Sequence, residues 1–396
     1  MRRSHEAGSQ IDNLPHKTRP WVRALTSPFI IPMSDALYRG RKSVSIENSR
    51  LRVTALREGG HIAEILDKQT GVNPLWTPPW PSIEPSAYDP AVHDYGAAPE
   101  AKLLAGIMGH SLCLDLFGGP SAEEAAAGIT PHGEAAVALY EIEQAATRMT
   151  MRASLPLAQL RFERVIELQG RTVRIREVVD NLSASDRPIA WTQHVSLGPP
   201  FLEKGATQFR MSATRSKVFE TEFGSAGYLR AGAEFYWPMA PKSSEDCVDL
   251  RVANHFAASS AYTAHLMDPV RDDAFFLAFA PQYRLAFGYV WRRSDFPWLG
   301  VWEENCSRTY APWNGRTLAR GMEFGVSPMP ESRLRMIERH RLFGVPTYRW
   351  LGAGSRIELE YVALTWSARS VPEFPPVRNS PKAAEKRRRL GYTGSS

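Results

Sequence analysis

Four short stretches of this sequence place proton-moving or polar side chains where the chain would hold them still. In Thr130-Pro131-His132-Gly133-Glu134 a histidine sits between proline and glycine, fixed by a tight turn ahead of a β-like run. The same pattern also reads as a capped turn with a surface histidine. In Trp191-Thr192-Gln193-His194-Val195-Ser196-Leu197 strand alternation puts Trp191, Gln193 and Val195 on one face, and Thr192, His194 and Ser196 on the other. A Thr-His-Ser face suits a wet cleft, since in an apolar core each polar atom would need a partner; a satisfied core histidine is the other reading. In Gly321-Met322-Glu323-Phe324-Gly325-Val326 a carboxylate interrupts an apolar strand. A half-buried carboxyl with no cation beside it holds its proton more tightly and suits a general base, whereas an ion pair with one of the arginines would make it structural. Finally, Trp298-Leu299-Gly300-Val301-Trp302-Glu303-Glu304-Asn305 ends in two acids, with Trp302 and Trp313 close in sequence. Aromatic faces pack on the C–H surfaces of sugars while polar groups fix hydroxyls, so this stretch reads either as a wall of a sugar site or as charges closing a strand.

Positioning these residues falls to strands. Regular patterning begins at Ser43: Val44 through Leu56 alternates, Glu58-Gly59-Gly60 turns, and His61–Leu66 forms a second strand. Residues 74–100, crowded with Pro, Trp and Tyr, show no period and read as a long ordered loop. From Ala136 strand-length segments recur: Thr147–Ser154, Leu160–Leu168, Thr172–Asn181, Ile189–Leu197, Phe275–Phe279, Leu285–Trp291, Trp298–Trp302, Gly321–Val326 and Arg356–Trp366. Arg161 to Leu168 and Thr172 to Val179 alternate about a Gln169-Gly170 turn, as a meander does. The one helix of any length near the end is Glu331–Arg339. The expectation is an all-β chain, a single large antiparallel β-sandwich with few short helices. It would have a loosely structured leader (1–42), a core domain (43–370) and a basic disordered tail (371–396).

Composition bounds the function. Among 396 residues, 30 Pro and 28 Gly beside 11 Trp, 13 Tyr and 17 Phe favour short strands joined by turns over long helices. The net charge of +6 sits mostly in the last stretch: between Pro375 and Ser396 six bases face the single acid Glu385, a formal +5. The core is therefore close to neutral, and nucleic acid is not the expected partner. Three scattered cysteines argue against a disulfide framework or a zinc knuckle. No apolar run of 18 residues or signal-type core is present, so a cytoplasmic protein without a membrane span is expected. Dinucleotide, phosphate-loop, nucleophile-elbow and zinc-protease motifs are all missing.

Taken in order, these pieces resemble the galactose mutarotase-like (aldose 1-epimerase) superfamily. Val53 to Leu66 around Gly59-Gly60, followed by Gly71 and Leu75-Trp76, is similar to its opening strands and sugar-facing loop. His132-Gly133, Thr192-Gln193-His194 and Gly321-Met322-Glu323 match its later motifs, with Gln193 where Asn is usual and Phe324 in place of Pro. The resemblance spans roughly Ser43 to Ala368 and implies a supersandwich fold. It also implies interconversion of sugar anomers without cofactor or metal, His194 being the acid toward the ring oxygen and Glu323 the base at the C1 hydroxyl. His132, Gln193, Trp302, Glu304 and Trp76 would contact the sugar. Glu304 competes with Glu323 for the base role, and the two could instead form a glycosidase-type pair. A site of two histidines and one carboxylate for a metal stays open, as does a carbohydrate-binding protein without turnover. The arginine that the family carries in its early loop has no counterpart in residues 74–100.

Overall fold

Strand alternation builds two large sheets whose apolar faces meet. The computed structural model describes residues 36–377. A 12-stranded sheet runs Ala36–Tyr38, Arg41–Glu47, Leu51–Leu56, Ile62–Asp67, His110–Asp115, Arg187–Leu197, Leu318–Gly325, Trp298–Asn305, Ser259–Met267, Ala213–Val218 and Glu234–Tyr236. Arg349–Leu351 pairs with Arg187–Leu197 off this path. An eight-stranded sheet runs Gln208–Met211, Asp273–Ala280, Leu285–Arg292, Arg356–Ser367, Thr172–Asn181, Leu160–Gln169, Arg148–Leu155 and Glu141–Ala145. The named strand pairs are antiparallel, and among the described residues the longest α-helix, Arg333–Arg339, has seven residues and is N-capped by Ser332. Among the described residues no helix is long and apolar enough to cross a membrane.

The expected all-β sandwich is what forms, and the anticipated strands are present with ends moved by no more than three residues, with one exception. The Val44–Leu56 run is not one strand but a hairpin, Arg41–Glu47 against Leu51–Leu56, turned at Asn48, whose Oδ1 accepts from Leu51 N at 2.8 Å. The first strands begin ahead of Ser43, at Ala36 and Arg41; the rest of the leader, and the tail from residue 378, lie outside the described residues. The sequence did not announce several strands, among them Glu141–Ala145, Gln208–Met211 and Ala213–Val218. Of these unannounced strands, His110–Asp115 and Ser259–Met267 are buried on both faces and carry no polar-apolar alternation of the kind that marks a half-solvated strand.

Between the sheets, Leu112, Trp191, Val195, Met322 and Phe324 of the large sheet pack on Met149, Phe162, Ile175, Phe276 and Trp291 of the small one. Trp291 stacks on Phe324 with ring centroids 4.3 Å apart. A polar network is sealed into this core. Arg164 pairs with Glu177 at 2.7 Å, and Glu177 accepts from Trp191 Nε1 (3.0 Å) and Gln193 Nε2 (2.6 Å). Gln193 Oε1 in turn meets His110 Nε2 (2.9 Å) and the Tyr361 hydroxyl (2.9 Å). A second apolar cluster, with Trp76, Trp80, Tyr262, Trp302 and Trp313, covers the other face of the large sheet. The candidate site lies on that covered outer face.

Candidate active site

Adjacent strands bring the two proton-moving groups together. Arg187–Leu197 and Leu318–Gly325 pair antiparallel, with His194 directly opposite Glu323. His194 Nε2 lies 3.0 Å from Glu323 Oε1, and both side chains are at least nine-tenths buried. On the far side of the ring, His194 Nδ1 meets Ser196 Oγ at 3.2 Å, so a strand neighbour on the same face holds the imidazole plane.

Glycines make room for the carboxylate. Gly321 is two residues from Glu323 on the same face, and a Cβ there would stand 2.4 Å from Glu323 Oε1. Gly300, opposite Glu323 on the other neighbouring strand, would place a Cβ 2.1 Å from the Tyr262 hydroxyl. The Gly-x-Glu spacing therefore reflects close approach of side chains to backbone.

His132 enters from a turn. Its φ of 69° puts it in the left-handed region, and its carbonyl accepts from Leu114 N at 3.1 Å, which ties the turn to the His110–Asp115 strand. The ring centroids of His132 and His194 are 4.6 Å apart. Desolvation, then the neighbouring His194 and His61, hold the His132 imidazole well below the usual histidine range, so it stays neutral. Its Nδ1 is buried without a partner.

These groups open on a cavity of about 100 Å³, several times what one water needs. Trp302 stands 5.8 Å from His194, Trp313 meets Trp302 edge-on at 6.2 Å, and Trp76 stacks on Trp313 at 6.4 Å. Trp76 is anchored by its backbone, whose N–H donates to Ser196 O at 2.8 Å. The 74–100 segment, expected as a long ordered loop, contributes Trp76 and Glu100 to the cavity lining. Phe117, Phe223, Tyr262, Leu103, Leu104 and Ile107 add apolar surface to the lining.

His132, His194, Glu323, Trp302 and Trp76, all expected at the site, therefore line one cavity. Gln193 does not. It is wholly buried on the opposite face of its strand, engaged by Glu177, His110 and Tyr361, so it makes no contact with the cavity. Alternation had already put it beside Trp191 and Val195; the motif resemblance alone pointed it at the sugar. Glu304 lies behind the lining, accepting from Ser307 N (2.7 Å), Ser307 Oγ (2.8 Å) and Arg308 N (3.1 Å). Its carboxylate shapes the turn that follows.

That turn delivers a residue the sequence did not single out. Arg308 lines the cavity, its Cζ 4.5 Å from the Trp313 ring centroid. It follows a strand end with no periodicity to mark it; only its position between Trp302 and Trp313 could have drawn attention. Among the described residues no group of three or more His, Cys, Asp or Glu is placed to hold a metal ion.

No family model matches the sequence, and no curated protein matches it. Solved structures do. A candidate aldose 1-epimerase from Klebsiella pneumoniae superposes with a TM-score of 0.58 at 14% identity, over 83% of this chain and 80% of that one. A galactose mutarotase-like protein from Clostridium acetobutylicum gives 0.54 at 12% identity, over 84% and 98%. A galactose mutarotase related enzyme from Lactobacillus acidophilus gives 0.53 at 12%, over 83% and 99%. With two apposed sheets, and a cavity on the outer face of the larger one, this chain has the fold of the galactose mutarotase-like proteins.

Proposed function

We propose that the chain interconverts the anomers of a free sugar by general acid–base catalysis at His194 and Glu323. The observation that carries this reading is the 3.0 Å pair of His194 Nε2 and Glu323 Oε1 on the floor of an aromatic-walled cavity.

The anomeric carbon bears a hydroxyl and the ring oxygen. These two oxygens share one carbon, so the acid and base serving them must be neighbours. Glu323 takes the proton of the C1 hydroxyl as protonated His194 gives one to the ring oxygen. The C1–O5 bond breaks and C1 becomes an aldehyde. Rotation about C1–C2 presents the other carbonyl face; O5 adds back, His194 recovers its proton, and Glu323 returns the other to the new hydroxyl. No atom is gained or lost. Each proton transfer contributes roughly 10²–10⁴-fold.

Neutral His132 holds a substrate hydroxyl or the ring oxygen beside His194, and Trp302 and Trp76 take apolar sugar faces. A second reading, a glycosidase pair of Glu304 and Glu323, is disfavoured because the Glu304 carboxylate is fully engaged by Ser307 and the Arg308 N–H. Saturation-transfer NMR of α/β exchange across a panel of aldoses tests the proposal. Wild type should accelerate exchange, Glu323→Gln should abolish it, and His194→Ala should lower it by about 10²-fold or more. Line broadening without exchange would overturn turnover in favour of a sugar-binding protein. A silent Glu323→Gln beside a dead Glu304→Gln would overturn the base assignment.

A further inference from the structure

The lining also constrains which sugar fits, and this inference rests on reading the cavity as a sugar-anomer site. Charge comes first. The cation lining the cavity, Arg308, lies between two carboxylates: Nε is 3.4 Å from Glu304 Oε2, and Nη1 is 3.8 Å from Glu100 Oε1. Its guanidinium also packs against Trp313. With Glu323 on the floor beside protonated His194, three carboxylates face two cations, and neutral His132 adds no positive charge. A phosphate or carboxylate on the ligand would meet excess negative charge in a desolvated site.

The wall from the Ala101–Gly106 helix is independent of that argument. Leu103, Leu104 and Ile107 face the cavity with hydrocarbon. The backbone behind them is already engaged. Leu104 N donates to Glu100 O (3.0 Å), Ile107 N to Leu103 O (2.8 Å), and the Leu104 carbonyl accepts from Trp80 Nε1 (3.0 Å). The Gly106 carbonyl takes Arg41 Nη1 at 2.7 Å. The Tyr262 hydroxyl, a polar handle on another wall, donates to Pro328 O at 2.9 Å. A sugar hydroxyl turned to the helix would lose water and gain no partner there.

A pyranose has one ring substituent attached through carbon, the arm at C5. An aliphatic wall accommodates that arm best when it ends in a methyl group. We infer that the site selects an uncharged, hydroxyl-poor sugar of the 6-deoxyhexose type, with Leu103, Leu104 and Ile107 as the specificity wall and the Glu100–Arg308–Glu304 triad excluding anions.

The test compares 6-deoxy-D-glucose and 6-deoxy-D-galactose with D-glucose, D-galactose, D-xylose, D-glucuronate and D-glucose 6-phosphate. Both catalysed anomer exchange and binding, the latter by ligand line broadening, are measured on the full chain. The 6-deoxy sugars should exceed their parent hexoses by on the order of tenfold or more in kcat/KM, and the two anionic sugars by more still. Leu104→Asn should shrink that preference by recruiting the C6 hydroxyl; the wild-type ratios stand even where this variant fails to fold. Equal or better use of the parent hexose, of xylose or of either anion overturns the inference. Exchange absent for every sugar but tighter binding of the 6-deoxy pair would sink the catalytic proposal and keep this one. No selective binding and no selective exchange would sink it.

Discussion

Glu323 works in a space defined by hydrogen atoms. Gly321 and Gly325 flank it on one strand face, yet their surroundings differ in kind. A Cβ at Gly321 would meet chiefly the end of the Glu323 side chain at 2.4 Å, with Trp302 Cβ at 3.1 Å. One at Gly325 would meet Thr192 Oγ1 at 2.3 Å and the paired backbone, Trp191 O at 2.7 Å and Thr192 Cα at 2.8 Å. A side chain can swing aside; paired backbone cannot. Gly321→Ala should therefore fold with a nearly unchanged melting temperature and lose about a hundredfold in exchange rate, because the carboxylate is pushed off its line to His194. Gly325→Ala should instead lower the melting temperature, read by circular dichroism. Glu304→Gln should leave the chemistry standing, since that carboxylate orients a turn. At this scale the sequence was legible at His194 and Glu323, polar residues interrupting apolar strands, but not at Gln193, which interrupts the same strand as His194 and is sealed into the core. Arg308 was not legible, because its role depends on a turn geometry that no periodicity encodes.

Elements decide what those residues face. The Trp191–Leu197 alternation assigned both faces of its strand correctly, and it was the motif match that misdirected Gln193. Period-two geometry is a local physical constraint, whereas a motif match carries no orientation. The twice-buried strands His110–Asp115 and Ser259–Met267 carry no alternation, and with His, Ser, Thr and Asp among their residues they also lack the apolar run that marked Phe275–Phe279 and Leu285–Trp291. Helices here are short and held from outside. Arg333, on Arg333–Arg339, forks onto Asp115 with Nη1–Oδ2 and Nη2–Oδ1 both at 3.1 Å, and its Nε donates to Glu124 at 2.7 Å. This contact fastens the helix, and the cavity-lining Pro330 just before it, to the strand that carries the His132 turn. Arg333→Met leaves the buried Asp115 with Arg187 alone as its charge partner. Urea denaturation should show a loss of about 1.5–3 kcal/mol, and exchange should slow as the His132 wall loosens. Arg333→Lys should recover part of the charge and little of the fork.

At the scale of the whole molecule, acid should weaken the fold. Burial holds His61 and His265 down to about 3, and His110 and His132 well below the ordinary value. Each stays neutral when folded and takes up a proton when unfolded, once pH drops below about 6.5. The unfolded state then binds more protons, so stability is full above that pH and declines as pH falls toward the depressed values. The slope is about 1.4 kcal/mol per pH unit for each histidine, the four acting together between pH 6 and 4.5. Urea midpoints measured from pH 7 to 5 should fall accordingly, and His265→Asn should flatten the slope; a pH-independent midpoint would contradict the burial of these rings. The sandwich itself was readable from turn residues and alternating strands. The order of strands was not, because Arg187–Leu197 pairs with segments some 80 and 130 residues away and nothing local in the chain encodes such partners.

Four of the eleven tryptophans, Trp76, Trp80, Trp302 and Trp313, form a connected set at the cavity, with centroid spacings from 5.0 to 6.4 Å. Indoles that close exchange excitation, so the set is an optical antenna built into the site. Its near-ultraviolet circular dichroism should show a coupled signal that Trp313→Phe reduces to that of the remaining Trp76–Trp80 pair. Its emission should shift when a ligand displaces water from these rings. The protein then reports its own occupancy without a label, and candidate ligands can be ranked by titration before any turnover is followed.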